Sequence, residues 1–166
     1  MMWLIRSSPL DVKALFWSKY WVGTLPLLAV ALPLIIGTNL ILEVSPFIFV
    51  LSTGTMVMAT FALTALALGF GALFPNYESD NVAEIPTSFG GLLFMMTAVG
   101  YLAGIILMEA WPVYSFLTAS LQGEGDRNFL VLPLVLGIAG AATLTAVAIV
   151  LPLRAGVRKV RVLDFH

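Results

Sequence analysis

The sequence predicts an all-α polytopic membrane protein with four transmembrane helices. Hydrophobic residues make up 60% of the 166 residues and charged residues only 10%, and the mean hydropathy is +1.03. This apolar surface exceeds what one soluble domain of that length can bury. Helices are favoured over a β-barrel because a helix satisfies its own backbone hydrogen bonds in lipid, and because the apolar runs lack alternating polar residues.

Four apolar runs have the required length, since a hydrocarbon core about 30 Å thick needs roughly 20 residues of helix. The predicted spans are 20–42, 47–74, 89–111 and 129–153, within a transmembrane domain of residues 20–153. None contains Lys, Arg or Asp, and Glu43 and Glu109 are expected at span ends, within reach of water. Pro26 and Pro33 predict a bend or local unwinding in the first span.

Basic residues are distributed unequally between the two sides of the predicted membrane domain. Those before the first span or after the last are Arg6, Lys13, Lys19, Arg154, Arg158, Lys159 and Arg161. The connection after the third span contains only Arg127. Because Lys and Arg collect in cytoplasmic segments, both termini and the basic tail 154–166 are predicted to be cytoplasmic, at the inner (plasma) membrane. The connections 43–46 and 112–128 are then external, and 75–86 is internal.

The N-terminal segment, residues 1–19, contains the signals of a helix start. Ser8 is suited to the N-cap and Pro9 to the first helical position. The helix that follows has one apolar side, and this predicts an amphipathic helix over 9–19 lying along the inner membrane surface. The apolar side comprises Leu10, Ala14, Trp17 and Trp21. The alternative is that this stretch extends the first span.

The connection 75–86 is polar and acidic between two very apolar helices, and prolines bracket it. Its composition fits a short helix at the cytoplasmic mouth that docks a soluble partner, and equally a solvated connector. The residues of interest are Asn76, Tyr77, Glu78, Asp80, Asn81 and Glu84.

Small residues recur at the spacing of close helix packing. Gly100 and Gly104 form a GxxxG motif, and related pairs lie in the second and fourth spans. Such pairs let helix backbones approach, and they predict packing within the bundle more often than a dimer seam. The related pairs are Ala67 with Gly71 and Gly137 with Ala141.

Polar residues also occur within the spans. They are Asn39, Thr53, Thr55, Thr60 and Thr64. They could line a path through the membrane, but threonine more commonly donates to a carbonyl of its own helix.

Several classes of function are excluded by composition. A net charge of −1 offers no basic stripe for nucleic acid. The absence of cysteine removes disulfides, thiol nucleophiles and thiolate metal sites. The only histidine is His166, and the sequence contains no HExxH motif, phosphate loop or paired intramembrane carboxylates. We therefore predict no catalytic, cofactor or metal site, and ATP hydrolysis, if it drives this protein, would reside on another chain.

Three segments resemble large bacterial ABC exporter permeases of the type-2 exporter group. They are residues 3–10 (WLIRSSPL) with Lys19 following, 68–81 (LGFGALFPNYESDN) and 88–91 (SFGG). The glycine-rich helix end, the Phe-Pro pair, the acidic loop and Ser-x-Gly-Gly together carry the resemblance, which covers nearly the whole chain. Members of the family are much longer, and these residues resemble their C-terminal portion.

The resemblance implies a permease that pairs with cytoplasmic ATPase subunits and moves a substrate across the membrane. The 75–86 loop would be the coupling element, and 9–19 the interfacial helix that leads into the bundle. Four helices alone provide a thin pathway for a substrate. Assembly with a second permease chain or as a homo-oligomer is therefore expected, with membrane lipid around the assembly. The alternative is a membrane scaffold or accessory subunit that transports nothing. A lipid-modifying enzyme is disfavoured because the outer carboxylates are sparse.

Overall fold

The computed structural model describes residues 12–74, 88–122 and 127–163, and these residues form four helices without a strand. The helices are α1 Val12–Ile41, α2 Pro46–Leu73, α3 Phe89–Gln122 and α4 Arg127–Leu163. Each contains a segment long and apolar enough to cross a membrane. The predicted all-α fold with four membrane-length helices is therefore confirmed.

The first helix is continuous from Val12 through Lys19 to Ile41. A separate interfacial helix is thus not observed from Val12 onward, and the alternative, an extension of the first span, applies there; residues 1–11 lie outside the described residues. Aromatic packing explains the continuity. Trp17 stacks on Tyr20 with ring centroids 5.7 Å apart, and Tyr20 reaches Phe61 of α2 at 6.5 Å, so the start of α1 is held against the bundle.

Internal prolines do not end the helices that contain them. α1 stays helical through Pro26 and Pro33, so the predicted local unwinding is not observed. α3 likewise continues through Pro112 to Gln122, and the connection predicted over 112–128 is reduced to 123–126. Packing compensates for the lost amide donor at Pro112: its ring is buried, and a Cβ added to Gly137 would lie 2.7 Å from its Cγ.

The turn between α1 and α2 contains a residue in the left-handed region. Glu43 has φ 49°, and its N–H donates to the carbonyl of Leu40 at 3.3 Å. Ser45 is the N-cap of α2, its hydroxyl accepting from the Ile48 N–H at 3.5 Å, and Pro46 is the first helical residue. The reversal is therefore short and places α1 antiparallel to α2.

Replacing Glu43 with glycine should stabilise this turn slightly. A residue with a Cβ costs roughly 1 kcal/mol in the left-handed conformation, and glycine avoids that cost. We expect the free energy of unfolding in detergent to rise by up to about 1 kcal/mol. The gain is reduced because glycine gives the unfolded chain more conformational entropy. Leu42→Gly is the control and should destabilise, since Leu42 continues the helical hydrogen-bond pattern to Thr38 at 3.0 Å and glycine in a helical conformation costs roughly 0.5–1 kcal/mol of conformational entropy.

α2 is the central helix and contacts the other three, α4 most extensively. Its buried positions are mostly small: Ala59, Thr60, Ala62, Ala65, Leu66 and Gly69. Many large apolar side chains point outward, among them Val22, Met96 and Leu107. Because lipid provides no hydrophobic drive for helices to associate, close approach through small residues is the main source of packing energy. The outward face is suited to lipid.

The α2–α4 seam depends on a glycine outside the predicted small-residue pairs. Gly69 lies against Pro152, and an added Cβ would be 2.7 Å from the Pro152 carbonyl carbon. The predicted pair Ala67 and Gly71 lies on the exposed side of α2, with nothing within 4 Å of a Cβ at Gly71. Packing of that pair within the bundle is therefore not observed, because a shift of two residues from Gly69 turns a helix by about 200°.

The small residues of α3 and α4 occupy different environments. A Cβ on Gly104 would lie 2.8 Å from Leu144 Cδ2, whereas one on Gly100 would meet nothing within 4 Å. Gly137 lies against the ring of Pro112, and Ala141 is 3% exposed in the core cluster. The α3–α4 seam therefore closes at Gly104, Gly137 and Ala141, while Gly100 borders open space.

The bundle has two ends, and each is named by the helix termini that lie at it. The terminal end is where α1 begins, α2 ends, α3 begins and α4 ends. The hairpin end is where α1 joins α2 and α3 approaches α4. Cross-helix contacts fix this arrangement: Phe47 with Phe116 at the hairpin end, and Phe74 with Phe89 at the terminal end.

Candidate functional site

Glu109 is the one carboxylate within the described membrane-length segments. Its apolar segment runs Phe89–Ala119 and the helix does not stop at Pro112, so Glu109 lies within a helix that continues past the predicted span. Glu109 is partly buried and faces α2. An ionisable residue within a membrane helix is energetically costly and is a functional-site candidate by default.

Thr55 of α2 is the direct partner of Glu109. Its hydroxyl is in hydrogen-bond contact with Glu109 Oε1 and lies 2.9 Å from the Leu51 carbonyl oxygen. The sequence indicates two alternatives for Thr55, lining a path or bonding a carbonyl of its own helix. In the structure Thr55 contacts both its own helix, at Leu51, and α3, at Glu109. The pair thus joins α2 to α3 by a polar contact inside the bundle.

An aromatic pair covers this contact on the hairpin side. Phe47 and Phe116 stack with centroids 4.4 Å apart and an interplanar angle of 30°. Thr55 follows Phe47 by eight residues, about 12 Å along the helix. Glu109 therefore lies roughly two helical turns from the aromatic pair along the bundle.

A second polar contact joins α1 to α2. Asn39 is 6% exposed, and its Nδ2 donates to Ser52 Oγ at 2.7 Å. The Ser52 hydroxyl in turn donates to the Phe49 carbonyl at 3.2 Å. Asn39 thus ties α1 to α2.

Thr60 and Thr64 of α2 donate to carbonyls of their own helix, which is the commoner role of threonine. Thr60 donates to Met56 and Thr64 to Thr60, each at 2.8 Å. Thr53 differs, since its buried Oγ1 has no hydrogen-bond partner. These side chains therefore do not form a continuous polar path through the described bundle.

A third polar contact lies deeper, between α3 and α4. The hydroxyls of Tyr101 and Thr145 are 3.0 Å apart, and Thr145 donates to the Ala141 carbonyl at 2.7 Å. Because the single proton of Thr145 is used there, Tyr101 donates to Thr145. Tyr101 is 5% exposed and belongs to the central cluster with Ile105.

An apolar groove of about 530 Å³ opens between α2, α3 and α4, from Tyr101 toward the terminal end. Gly100 lines it, which explains the open space beside that residue. Its other lining residues are Leu66, Phe70, Leu73, Thr97, Leu144, Val147, Ala148, Leu151, Pro152 and Ala155. Such a wall suits an acyl chain or an apolar helix face rather than a polar solute.

The predicted coupling-loop residues, Asn76 to Glu84, lie outside the described residues. The chain on either side of the loop is described and is held together. Phe74 contacts Phe89 with centroids 5.3 Å apart, and a Cβ on Gly90 would lie 2.8 Å from Phe74 Cβ. The Ser88 hydroxyl accepts from the Gly91 N–H at 3.2 Å and caps α3. Both ends of the loop therefore lie side by side at the terminal end.

Comparison with known proteins places the whole chain in one family. The family model described as "Putative ATP-binding cassette" matches residues 1–165. No curated protein and no solved structure matches the chain. Because the family model covers almost every residue of these four apolar helices, the chain belongs to that ATP-binding cassette family.

Proposed function

We propose that the chain is a membrane-spanning permease component of an ABC-type exporter, with ATP hydrolysis on a partner subunit. The observation that carries the proposal is the family match over residues 1–165 together with four helices of membrane length. The family description names the ATP-binding part of such systems, whereas this sequence contains no phosphate loop. The membrane part is the role that long apolar helices can fill.

The terminal end is proposed to face the cytoplasm of a bacterial cell, at the inner membrane. The described cations Lys19, Arg154 and Arg158 are exposed there, and cations collect on the cytoplasmic side. The 75–86 loop leaves and re-enters the bundle at this same end, between Phe74 and Ser88. An ATPase subunit that bound the loop would push on α2 and α3 together, because Phe74 and Phe89 are in contact.

Assembly with a second permease chain or another copy of this chain is part of the proposal. α2 contacts all three other helices, and the described bundle leaves most large apolar side chains outside. Lipid covers part of that surface, and a partner helix is suited to the rest.

Purification in mild detergent, after co-expression with a candidate cytoplasmic ATPase subunit, tests this proposal. We expect the chain to co-purify with the ATPase and with a second permease chain or copy, and to raise the ATPase rate when reconstituted in lipid. Recovery of the chain alone would contradict the proposal.

Neutralising the loop acids should uncouple the complex. In a variant carrying Glu78→Gln, Asp80→Asn and Glu84→Gln, we expect the stimulated ATPase rate to fall by roughly 10-fold or more, since removing a hydrogen bond to a charged group costs about 1.5–3 kcal/mol. Glu43→Gln is the matched control, because Glu43 is exposed at the opposite end. A scaffold that transports nothing would show the same rate in both variants.

A further inference from the structure

The Thr55 hydroxyl stands between two oxygens that can each accept its proton. It contacts Glu109 Oε1 and lies 2.9 Å from the Leu51 carbonyl oxygen. A hydroxyl has one proton to donate and two lone pairs to accept with, while a carbonyl oxygen can only accept. Thr55 can donate to Leu51 and still contact Glu109 by a hydrogen bond only if the carboxyl group carries a proton and donates to Thr55.

The surroundings of Glu109 supply no positive charge among the described side chains. Residues 46–73 of α2 contain no titratable group. The described side chains of α4 include only Arg154 and Arg158, which lie at the terminal end. On α3 itself the titratable neighbours are Tyr101, whose proton goes to Thr145, and the exposed Tyr114. An ionised Glu109 would therefore find no cationic partner among the described side chains, and an unpaired charge within a membrane helix is strongly unfavourable.

We propose that Glu109 and Thr55 form a proton-binding site inside the membrane. With the proton bound, Glu109 donates to Thr55 and Thr55 donates to Leu51, so that each polar oxygen in the chain is satisfied and α3 is joined to α2. When the proton leaves, the carboxylate accepts the single hydroxyl proton of Thr55, the Leu51 carbonyl keeps its helical hydrogen bond from the Thr55 N–H, and Glu109 becomes a charge within the bundle. The released state favours entry of water and separation of the two helices below Phe47 and Phe116.

The site lies wholly within this chain and does not depend on the proposed function. A chain that proved not to be a permease would have the same donors and acceptors at this contact. The test therefore uses the full-length chain alone, purified in detergent or in lipid nanodiscs, and measures proton occupancy rather than transport.

Dicyclohexylcarbodiimide is a suitable probe because it is apolar, partitions into the hydrocarbon and reacts with a carboxyl group that carries a proton. The acid proton moves to a carbodiimide nitrogen, the carboxylate adds to the central carbon, and rearrangement gives a stable N-acylurea that mass spectrometry locates. We expect Glu109 to be modified, with a yield that falls as the pH rises. Glu43, which is exposed at the hairpin end, should stay unmodified. Absence of modification at Glu109 at every pH where the chain stays folded would overturn the proposal.

Variants of Thr55 distinguish the two directions of the hydrogen bond by the direction in which the pH of half-modification moves. Thr55→Val removes the acceptor for the acid proton, so half-modification should move to lower pH by about half to one pH unit. Thr55→Ser keeps the hydroxyl and should retain the wild-type profile. A shift to higher pH in Thr55→Val would mean that Thr55 donates to a carboxylate, and an unchanged profile would mean that the contact does not hold the proton. Either result rejects the site.

Infrared difference spectra provide a second measurement that does not require a reactive probe. The carbonyl stretch of a protonated carboxylic acid should be present in the wild-type chain and should lose one component in Glu109→Gln. An identical spectrum in that variant, with its helix content unchanged, would also overturn the proposal.

Discussion

Gly69→Leu is expected to destabilise the bundle by about 3 kcal/mol or more, the top of the usual range of about 1–3 kcal/mol for overpacking or above it. A Cβ at this position would lie 2.7 Å from the Pro152 carbonyl carbon and 2.8 Å from its oxygen. These are backbone atoms, so no side-chain rotation relieves the clash, and α2 must separate from α4. Because that seam is the most extensive in the bundle, separation removes packing that no other helix pair replaces.

Gly71→Leu is the matched control on the same helix. A Cβ there meets nothing within 4 Å, and the residue is exposed. We expect no destabilisation and at most a gain of up to about 1 kcal/mol in the free energy of unfolding, because leucine has the higher helix propensity. Reversible unfolding in mixed micelles, followed by helix content, measures both variants. Equal effects of the two substitutions would mean that α2 and α4 are not packed through Gly69.

Hydropathy predicts the number and type of the helices because the membrane selects for length and apolar composition, which are local properties of the sequence. The ends of the helices depend on contacts that hydropathy does not contain. Pro112 taken alone indicates a helix stop, yet its ring is buried against Gly137 of another helix. Trp17 and Trp21 taken alone indicate an interfacial face, yet Trp21 contacts Phe61 of α2, and Trp17 stacks on Tyr20, which also reaches Phe61. In each case a distant residue decides the outcome.

The candidate site is predictable only in part for the same reason. The threonines of the second span are recognisable as polar residues in the membrane, but nothing in the sequence pairs Thr55 with Glu109, which follows 54 positions later. One signal is available: a third span extended past Pro112 would make Glu109 an intramembrane carboxylate. The packing motifs give the spacing of small residues but not which face they occupy, and so they do not identify Gly69.

Tyr101→Ala is expected to destabilise the bundle by about 3–5 kcal/mol, as for other aromatic side chains removed from a packed core. Tyr101 is 5% exposed and lies in the central cluster with Leu66, Ile105 and Ala141. Its ring also forms one end of the apolar groove. Truncation would extend that groove into the core and remove packing from both the α2 and the α4 side.

Tyr101→Phe separates the contribution of the ring from that of the hydroxyl. It keeps the ring and removes only the hydrogen bond to Thr145, which spans 3.0 Å. Interhelical hydrogen bonds in membranes contribute about 0.6 kcal/mol on average and at most about 1.7, and Thr145 keeps its bond to Ala141 at 2.7 Å. The expected loss is therefore about 1 kcal/mol, measured by the same unfolding assay. If Tyr101→Phe lowered the free energy of unfolding as much as Tyr101→Ala, the hydrogen bond rather than ring packing would hold α3 to α4. The helices would then depend on a polar contact at Tyr101, as they do at the Glu109–Thr55 contact nearer the hairpin end.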